Sequence, residues 1–133
     1  MTAVMHETPL KELLIVGGLA GFPDSARYAL VEVPGGGPLF RLTSLDEPGL
    51  EFLVVPPAAF FPDYAPVLDD VSAERLGLVT SEDAMLLVVV TVGPTAKDAT
   101  ANLLAPLVVN QRDGRAAQVI TVGEHSLRAP LAG

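Results

Sequence analysis

Glycine and proline interrupt the sequence at short intervals along its whole length. The 133 residues include twelve of each, and few apolar stretches between them last long enough for an ordinary helix. Glycine weakens a helix through its conformational freedom, and proline breaks one. The pieces that remain therefore favour short strands joined by turns.

Short apolar runs mark the candidate strands. Residues 84–92 are the longest strand candidate and are apolar on both faces, which is typical of a central strand. Residues 72–78 are the best helix candidate, and its cap is expected at Asp70 or Ser72. Six to eight short strands at this spacing predict a β-sandwich or a β-barrel. The candidate strands are residues 13–16, 28–33, 39–43, 52–55, 84–92, 103–109 and 117–122.

The sequence is acidic. Its 16 Asp and Glu residues outnumber 8 Lys and Arg, which gives a formal net charge of −8. Binding to nucleic acid depends on clustered basic side chains, so we expect no direct contact with nucleic acid. A basic partner would be attracted, although an acidic surface also serves solubility alone.

Several features bear on where the protein works. No cysteine occurs, which excludes disulfides and thiolate metal sites. The longest unbroken apolar run, residues 84–90, is far shorter than the roughly 20 residues that cross a membrane. The first nine residues lack the basic start and apolar stretch of a secretory signal. We therefore expect a cytoplasmic protein without membrane contact.

Side chains suited to catalysis are sparse. Two histidines, His6 and His125, stand near opposite ends of the sequence and have no partners at metal-ligand spacing. The acidic pairs at 46–47, 69–70 and 82–83 are more typical of turns and caps than of paired catalytic carboxylates. The sequence contains neither a dinucleotide-binding fingerprint nor a nucleophile elbow. We predict a binding protein rather than an enzyme, with no cofactor and no metal.

Four motifs follow one another between residues 18 and 120. They are GLAGF at 18–22, LTSLDEP at 42–48, FPDY at 61–64, and TANLLAPLVVN at 100–110 with QVI at 118–120. The last is the most specific, because its Thr-x-Asn-Leu-x-x-Pro-x-x-x-Asn spacing is hard to obtain by chance. Together the motifs resemble the FliW family of flagellar assembly factors, with Ala20 where that family usually has proline.

The resemblance implies both a fold and a function. The fold is mainly β: a small antiparallel β-barrel of about six to eight strands with one or two short helices, forming a single domain over residues 1–133. FliW-like proteins bind the RNA-binding translational regulator CsrA and also bind flagellin. Binding to CsrA relieves its repression of flagellin translation, and free flagellin competes for the FliW-like protein. The expected partners are therefore a CsrA-type regulator and flagellin.

Two alternatives stay open. One, also suggested by the family, is a flagellin-specific chaperone that does not bind the regulator. The other is a β-barrel that binds a small ligand. A ligand barrel would need several polar groups converging inside it, whereas the inward positions of this sequence offer Leu, Val and Ala, which predicts a filled core.

An aromatic segment is the first candidate for partner contact. Phe60, Phe61 and Tyr64 lie close together between prolines, beside Asp63. Exposed aromatic side chains with a polar rim favour protein binding. The structural alternative is that the aromatic side chains pack over one end of the barrel and that Asp63 caps a turn.

Two polar pairs complete the candidate contact residues. Glu82 and Asp83 could face a basic partner, or could lie in a solvated turn. Asn102 and Asn110 flank the Pro106 segment, and their structural alternative is hydrogen bonding within turns.

Overall fold

The computed structural model describes residues 9–95, 98–121 and 125–131. Within these ranges it contains nine strands, one α-helix and two short 3-10 turns. The helix, α1, spans Asp70–Arg75, and the 3-10 turns span Pro57–Ala59 and Ser81–Asp83. The strands are β1 (Pro9–Ile15), β2 (Arg27–Glu32), β3 (Phe40–Ser44), β4 (Glu51–Val55), β5 (Ala84–Thr91), β6 (Thr100–Ala101), β7 (Leu107–Asn110), β8 (Arg115–Gln118) and β9 (Ala129–Pro130).

Seven of these strands close into a barrel. Their order is β4-β3-β2-β1-β8-β7-β5, and β5 pairs back onto β4 at Leu53–Val90. The junction of β1 with β8 is parallel, whereas the other neighbours around the barrel are antiparallel. The short strands β6 and β9 extend the sheet from the far end of β5. The predicted small β-barrel with one or two short helices is confirmed, with one parallel junction that the prediction did not include.

Aliphatic side chains fill the inside of the barrel. Along β1, Leu13 and Ile15 are buried while Leu14 is exposed, as the two-residue period of a strand requires. The expectation of a filled interior is confirmed, as is usual for a barrel of this size. Other members of the interior cluster include Tyr28, Leu30, Leu42, Val54, Leu87 and Leu107.

Helix α1 lies against the outer face of β7 and β8. Leu76, at its C-terminal end, is buried against Val108 and Ala117. The helix begins two residues before the predicted start, and its cap is Asp69 rather than Asp70 or Ser72. The reason is geometric: Asp69 is extended, and its carboxylate accepts a hydrogen bond from the Ser72 N–H at 3.2 Å, as an N-cap does.

A tight hairpin joins β7 to β8. Pro106 precedes the first residue of β7, so its missing N–H removes no bond from the strand ladder. Gly114 has a φ of +82°, which glycine adopts without steric cost, and its N–H donates to the Asn110 carbonyl at 2.9 Å. This hairpin places Asn110 and Arg115 next to the end of α1.

Candidate protein-binding surface

The aromatic segment packs on the outer side of the barrel, near the C-terminal half of β5. Phe61 and Tyr64 pack against a second apolar cluster that includes Val88 and Val90. The Tyr64 hydroxyl donates to the Leu103 carbonyl at 2.6 Å. Burial raises the pKa of Tyr64 to about 12, so the phenol stays protonated at neutral pH. Phe61 and Tyr64 therefore serve packing.

Two residues of the aromatic segment remain accessible. Phe60 is 38% exposed, and the Asp63 side chain is exposed. His125, in contrast, stacks edge-on against the Tyr64 ring with centroids 5.1 Å apart. A partner that reaches this segment would meet Phe60 and Asp63 first.

Asn102 has a local structural role beside this segment. Its Oδ1 accepts hydrogen bonds from the N–H groups of Leu104 and Ala105, at 3.1 and 3.0 Å. These bonds shape the turn that leads to Pro106. The turn hydrogen bonding considered for Asn102 from the sequence is what the structure contains.

Glu82, Asp83 and Asn110 come together at the opposite end of β5. Glu82 and Asp83 lie in the 3-10 turn that leads into β5. Glu82 is exposed, whereas Asp83 forms an ion pair with Arg112 at 3.7 Å. The Ala84–Asn110 pairing of β5 with β7 brings Asn110 beside this turn.

Asn110 is part of the protein interior. It is 2% exposed, and its Nδ2 donates to the Leu76 carbonyl at 2.7 Å. Its Oδ1 accepts from the Arg112 N–H at 2.9 Å. With both ends of its amide engaged and almost no exposed surface, Asn110 serves the protein interior rather than contact with a partner.

The predicted contact residues thus form two groups rather than one site. The aromatic segment lies near Val88 and Val90, and the acidic turn lies next to Ala84. Six residues of strand, at roughly 3.3 Å each, separate Ala84 from Val90 by about 20 Å. A partner that touched both groups would have to span the length of β5.

Between the acidic turn and α1 lies a groove that sequence reasoning missed. Its floor is the outer face of β5 and β7, and its walls are α1 and the two segments that flank it. Its volume is about 460 Å³, within the range of roughly 300–1,000 Å³ that is typical of binding clefts. Residues lining this groove, which we call the α1 groove, include Leu68, Ala73, Leu78, Val79, Leu86 and Val108.

Exposed apolar side chains lie in and beside the α1 groove. Val79, in its wall, is 76% exposed, and Val67 beside it is 65% exposed. A smaller depression of about 330 Å³ lies on the other side of α1, where Ile120 is 75% exposed. Adjoining exposed apolar side chains mark surfaces that bind other proteins.

A signal for the α1 groove was present in the sequence. Residues 84–90 form an unbroken apolar run, which predicts a central strand with two apolar faces. In the structure Leu87 faces the barrel interior, whereas Ala84 and Leu86 pack outside it, near α1. The outward apolar positions of β5 are therefore the floor of a surface groove.

Within residues 9–95, 98–121 and 125–131, no group of three or more His, Asp or Glu side chains could hold a metal ion. No helix in those same ranges is long and apolar enough to cross a membrane. His6 lies outside the described residues.

Comparison with known proteins shows which protein family shares this sequence and architecture. Residues 3–131 match the model of the FliW protein family. The flagellar assembly factor FliW of Symbiobacterium thermophilum is 36% identical over 116 residues, 86% of this chain and 84% of that protein. The FliW of Syntrophotalea carbinolica is 37% identical over 124 residues, 92% of this chain and 88% of that protein.

A solved structure agrees. The crystal structure of a flagellar assembly factor FliW matches with a TM-score of 0.85 and 29% sequence identity, covering 96% of this chain and 89% of that one. The closed, filled barrel with its outer helix is therefore that of a flagellar assembly factor. The chain belongs to the FliW family, and the resemblance carried by the four motifs is confirmed.

Proposed function

We propose that this flagellar assembly factor works in the cytoplasm as a single-domain binding protein, without catalysis. It binds a CsrA-type RNA-binding regulator and thereby relieves repression of flagellin translation. It also binds flagellin, so that the two partners compete. The observation that carries this proposal is the position of its open apolar surface: outside a filled barrel, on an acidic molecule.

Charge supports a basic partner. The net charge is −8, and an RNA-binding regulator must carry basic side chains for the phosphates. Attraction of this kind raises association rates by roughly ten- to a thousandfold at low salt. Bound beside the regulator, the acidic surface would also repel RNA phosphates, so RNA binding would weaken even if its site stayed uncovered.

The ligand-barrel alternative has little support. The interior cluster consists of Leu, Ile, Val, Tyr and Ala side chains, and no convergent set of polar groups lies among the described residues inside the barrel. The alternative of a chaperone that binds only flagellin differs from our proposal only in that it does not bind the regulator. Binding measurements separate them.

Calorimetric titration against the cognate CsrA-type regulator and, separately, against flagellin tests the proposal. The titrations are made at ionic strengths of about 0.01 and 0.15 M, between which the Debye length shrinks from roughly 30 to 8 Å. We expect regulator binding that weakens with salt, and flagellin binding that displaces the regulator. Flagellin binding alone would favour the chaperone, and binding to neither would refute both roles.

The repulsion mechanism has its own test. The RNA affinity of the regulator is measured in the presence of saturating wild-type protein and of variants in which exposed carboxylates become amides. We expect the amide variants to suppress RNA binding less at equal occupancy. An RNA affinity that is the same in every complex would rule out repulsion.

A further inference from the structure

We propose that a pocket at one end of the barrel binds a carboxylate group that is carried on a branched apolar body. The pocket has a volume of about 300 Å³, at the lower limit of the range that is typical of ligand clefts. It lies where β1, β5 and β8 end and where β4 begins, outside the filled interior. Residues lining this pocket, which we call the end pocket, include Leu19, Phe52, Thr91, Asn102, Gln118 and Arg128.

The base of the end pocket is apolar and is continuous with the barrel core. Leu19 is 3% exposed and belongs to the interior cluster, and Phe52 and Val89 pack against that cluster. Leu127, which also lines the pocket, is 59% exposed. A branched aliphatic group in the pocket would be covered by these side chains, and burial of its apolar surface would favour binding.

The side-chain amides of the end pocket have occupied acceptors and unused donors. The Asn102 Oδ1 already accepts two backbone N–H groups, and its Nδ2 has no acceptor among the described residues. The Gln118 Oε1 accepts from the Ala20 N–H at 2.8 Å, and its Nε2 donates one hydrogen to the Ala105 carbonyl at 3.1 Å. The hydroxyl of Thr91, an exposed residue, also lacks a partner in the described ranges. Unused donors select a ligand that is rich in acceptors, as a carboxylate is.

The end pocket also carries a positive charge on an acidic protein. Arg128 is exposed and forms no ion pair with any residue in the described ranges. The net charge is −8, yet none of the described residues that line the pocket is acidic. A guanidinium presents a planar fork of donors that matches a carboxylate. A free phosphate, which has no apolar part, would leave the base of the pocket uncovered.

Three of the four sequence motifs meet at the end pocket. Ala20 belongs to the motif at 18–22, Asn102 to the motif at 100–110 and Gln118 to the motif at 118–120. The Gln118 amide joins the first of these segments to the second through its bonds to Ala20 and Ala105. Because these bonds hold the donors in place before a ligand arrives, less conformational entropy is lost on binding.

The experiment titrates the full chain at pH 7 with small probes and follows the titration by two-dimensional amide NMR. N-acetyl-leucine carries the carboxylate on a branched apolar body, and N-acetyl-leucinamide is its uncharged control. We expect N-acetyl-leucine to bind with a dissociation constant on the order of 1 mM, as is usual for so small a ligand. It should shift the signals of residues that line the end pocket, and the amide should bind about tenfold more weakly.

Isocaproate distinguishes two sources of the carboxylate, because it keeps the branched end and the charge but lacks a peptide group. Binding as tight as that of N-acetyl-leucine would assign the end pocket to a small free acid. Weaker binding would assign it to the carboxyl end of a polypeptide.

Two variants test the donors, each with a matched control that does not line the end pocket. Arg128→Gln removes the positive charge, and Arg75→Gln makes the same change at an exposed residue of α1. Thr91→Val removes a hydroxyl, and Thr80→Val does so at another exposed threonine. We expect N-acetyl-leucine to bind about tenfold more weakly to Arg128→Gln and about threefold more weakly to Thr91→Val. Both controls should stay within about twofold of the wild type, and thermal unfolding verifies the fold of each variant.

Three results would overturn the proposal. They are equal binding of N-acetyl-leucine and its amide, undiminished binding to Arg128→Gln, and NMR shifts confined to residues outside the end pocket. The titrations contain neither the CsrA-type regulator nor flagellin. Failure of this inference would therefore leave the proposed function as it stands.

Discussion

The Asn110 side chain, in β7, holds the end of α1 to the barrel by donating to the Leu76 carbonyl at 2.7 Å. Both residues are buried, and the carbonyl is one of those that a helix leaves unpaired at its C-terminus. Arg115, in β8, adds a second bond to the same helix end through the Arg75 carbonyl at 3.2 Å. The wall of the α1 groove is therefore anchored to the barrel by side chains of one hairpin.

Asn110→Ala should destabilise the protein. The substitution leaves the buried Leu76 carbonyl without its partner, which costs about 1–3 kcal/mol. Urea unfolding measures the change, and Gln111→Ala, at the exposed neighbouring position, is the control. Equal stability of the two variants would show that the bond contributes nothing.

The two tyrosines should respond oppositely to loss of their hydroxyls. The Tyr28 hydroxyl is buried and has no hydrogen-bond partner among the described residues, whereas the Tyr64 hydroxyl donates to Leu103. Tyr28→Phe should therefore leave stability unchanged or raise it by up to about 1 kcal/mol, and Tyr64→Phe should lower it by about 1 kcal/mol. Thermal unfolding decides; a marked loss for Tyr28→Phe would contradict the assignment.

The Asp46 carboxylate should make the free energy of unfolding depend on pH in the acidic range. Hydrogen bonds from the backbone N–H groups of Arg27 and Ala26 lower the pKa of Asp46 below its ordinary 3.8. Its contribution is thus present above that ordinary value and is lost as pH falls through the lower folded-state pKa. Asp46→Asn should destabilise at neutral pH, with a deficit that shrinks toward pH 2 in urea titrations.

The neighbouring Glu47→Gln serves as the control for that titration. Glu47 is exposed, and we expect its substitution to change stability little at any pH. A deficit for Asp46→Asn that stays constant down to pH 2 would show that the carboxylate is not the source.

Substituting Gly17 and Gly18 separates the cost of a positive φ from the cost of a steric clash. Both have positive φ, +80° and +69°, but an added Cβ would meet nothing at Gly17 and would clash with the Phe22 carbonyl and the Pro23 backbone at Gly18. Gly17→Ala should cost about 1–2 kcal/mol, and Gly18→Ala should cost more by about 1–3 kcal/mol. Chemical denaturation of both variants compares them, and equal losses would contradict the clash.

Phe60 and Asp63 are the accessible residues of the aromatic segment, and we propose that they contact a partner. Phe60→Ala should reduce affinity for the regulator or for flagellin about tenfold with little change in stability. Phe61→Ala, at the packed neighbour, should instead lower the free energy of unfolding by about 3 kcal/mol. If Phe60→Ala binds both partners as the wild type does, the segment is purely structural.

Much of the barrel could be predicted from local pattern. Glycine, proline and alternation located β2 to β5, because those signals act within a few residues. The strand predicted over residues 117–122 shows where such signals stop: β8 spans Arg115–Gln118, and residue 122 lies outside the described residues. Ile120 beyond it is apolar and 75% exposed, so its apolar character reflects the surface beside α1 rather than a strand.

The surface features depend on contacts distant in sequence. The α1 groove requires residues near 68 and 78 to pack beside β5 and β7, a placement that no local pattern specifies. The sequence marks Asn110 as a residue that flanks the Pro106 segment, but only the packing of α1 reveals that its amide serves the Leu76 carbonyl. The position of Asn110 in the motif is visible in the sequence, whereas its structural role is not.

The parallel junction of β1 with β8 has a consequence for synthesis. Leu14 pairs with Arg115 and Ile15 with Ala116. One edge of β1 therefore has no strand partner until about a hundred further residues have been translated. At roughly 5–20 residues per second, that interval lasts on the order of 5–20 seconds. Until β8 has been synthesised, the nascent barrel is an open sheet whose first strand has an unpaired edge. Closure of the barrel is therefore a late event in its biogenesis.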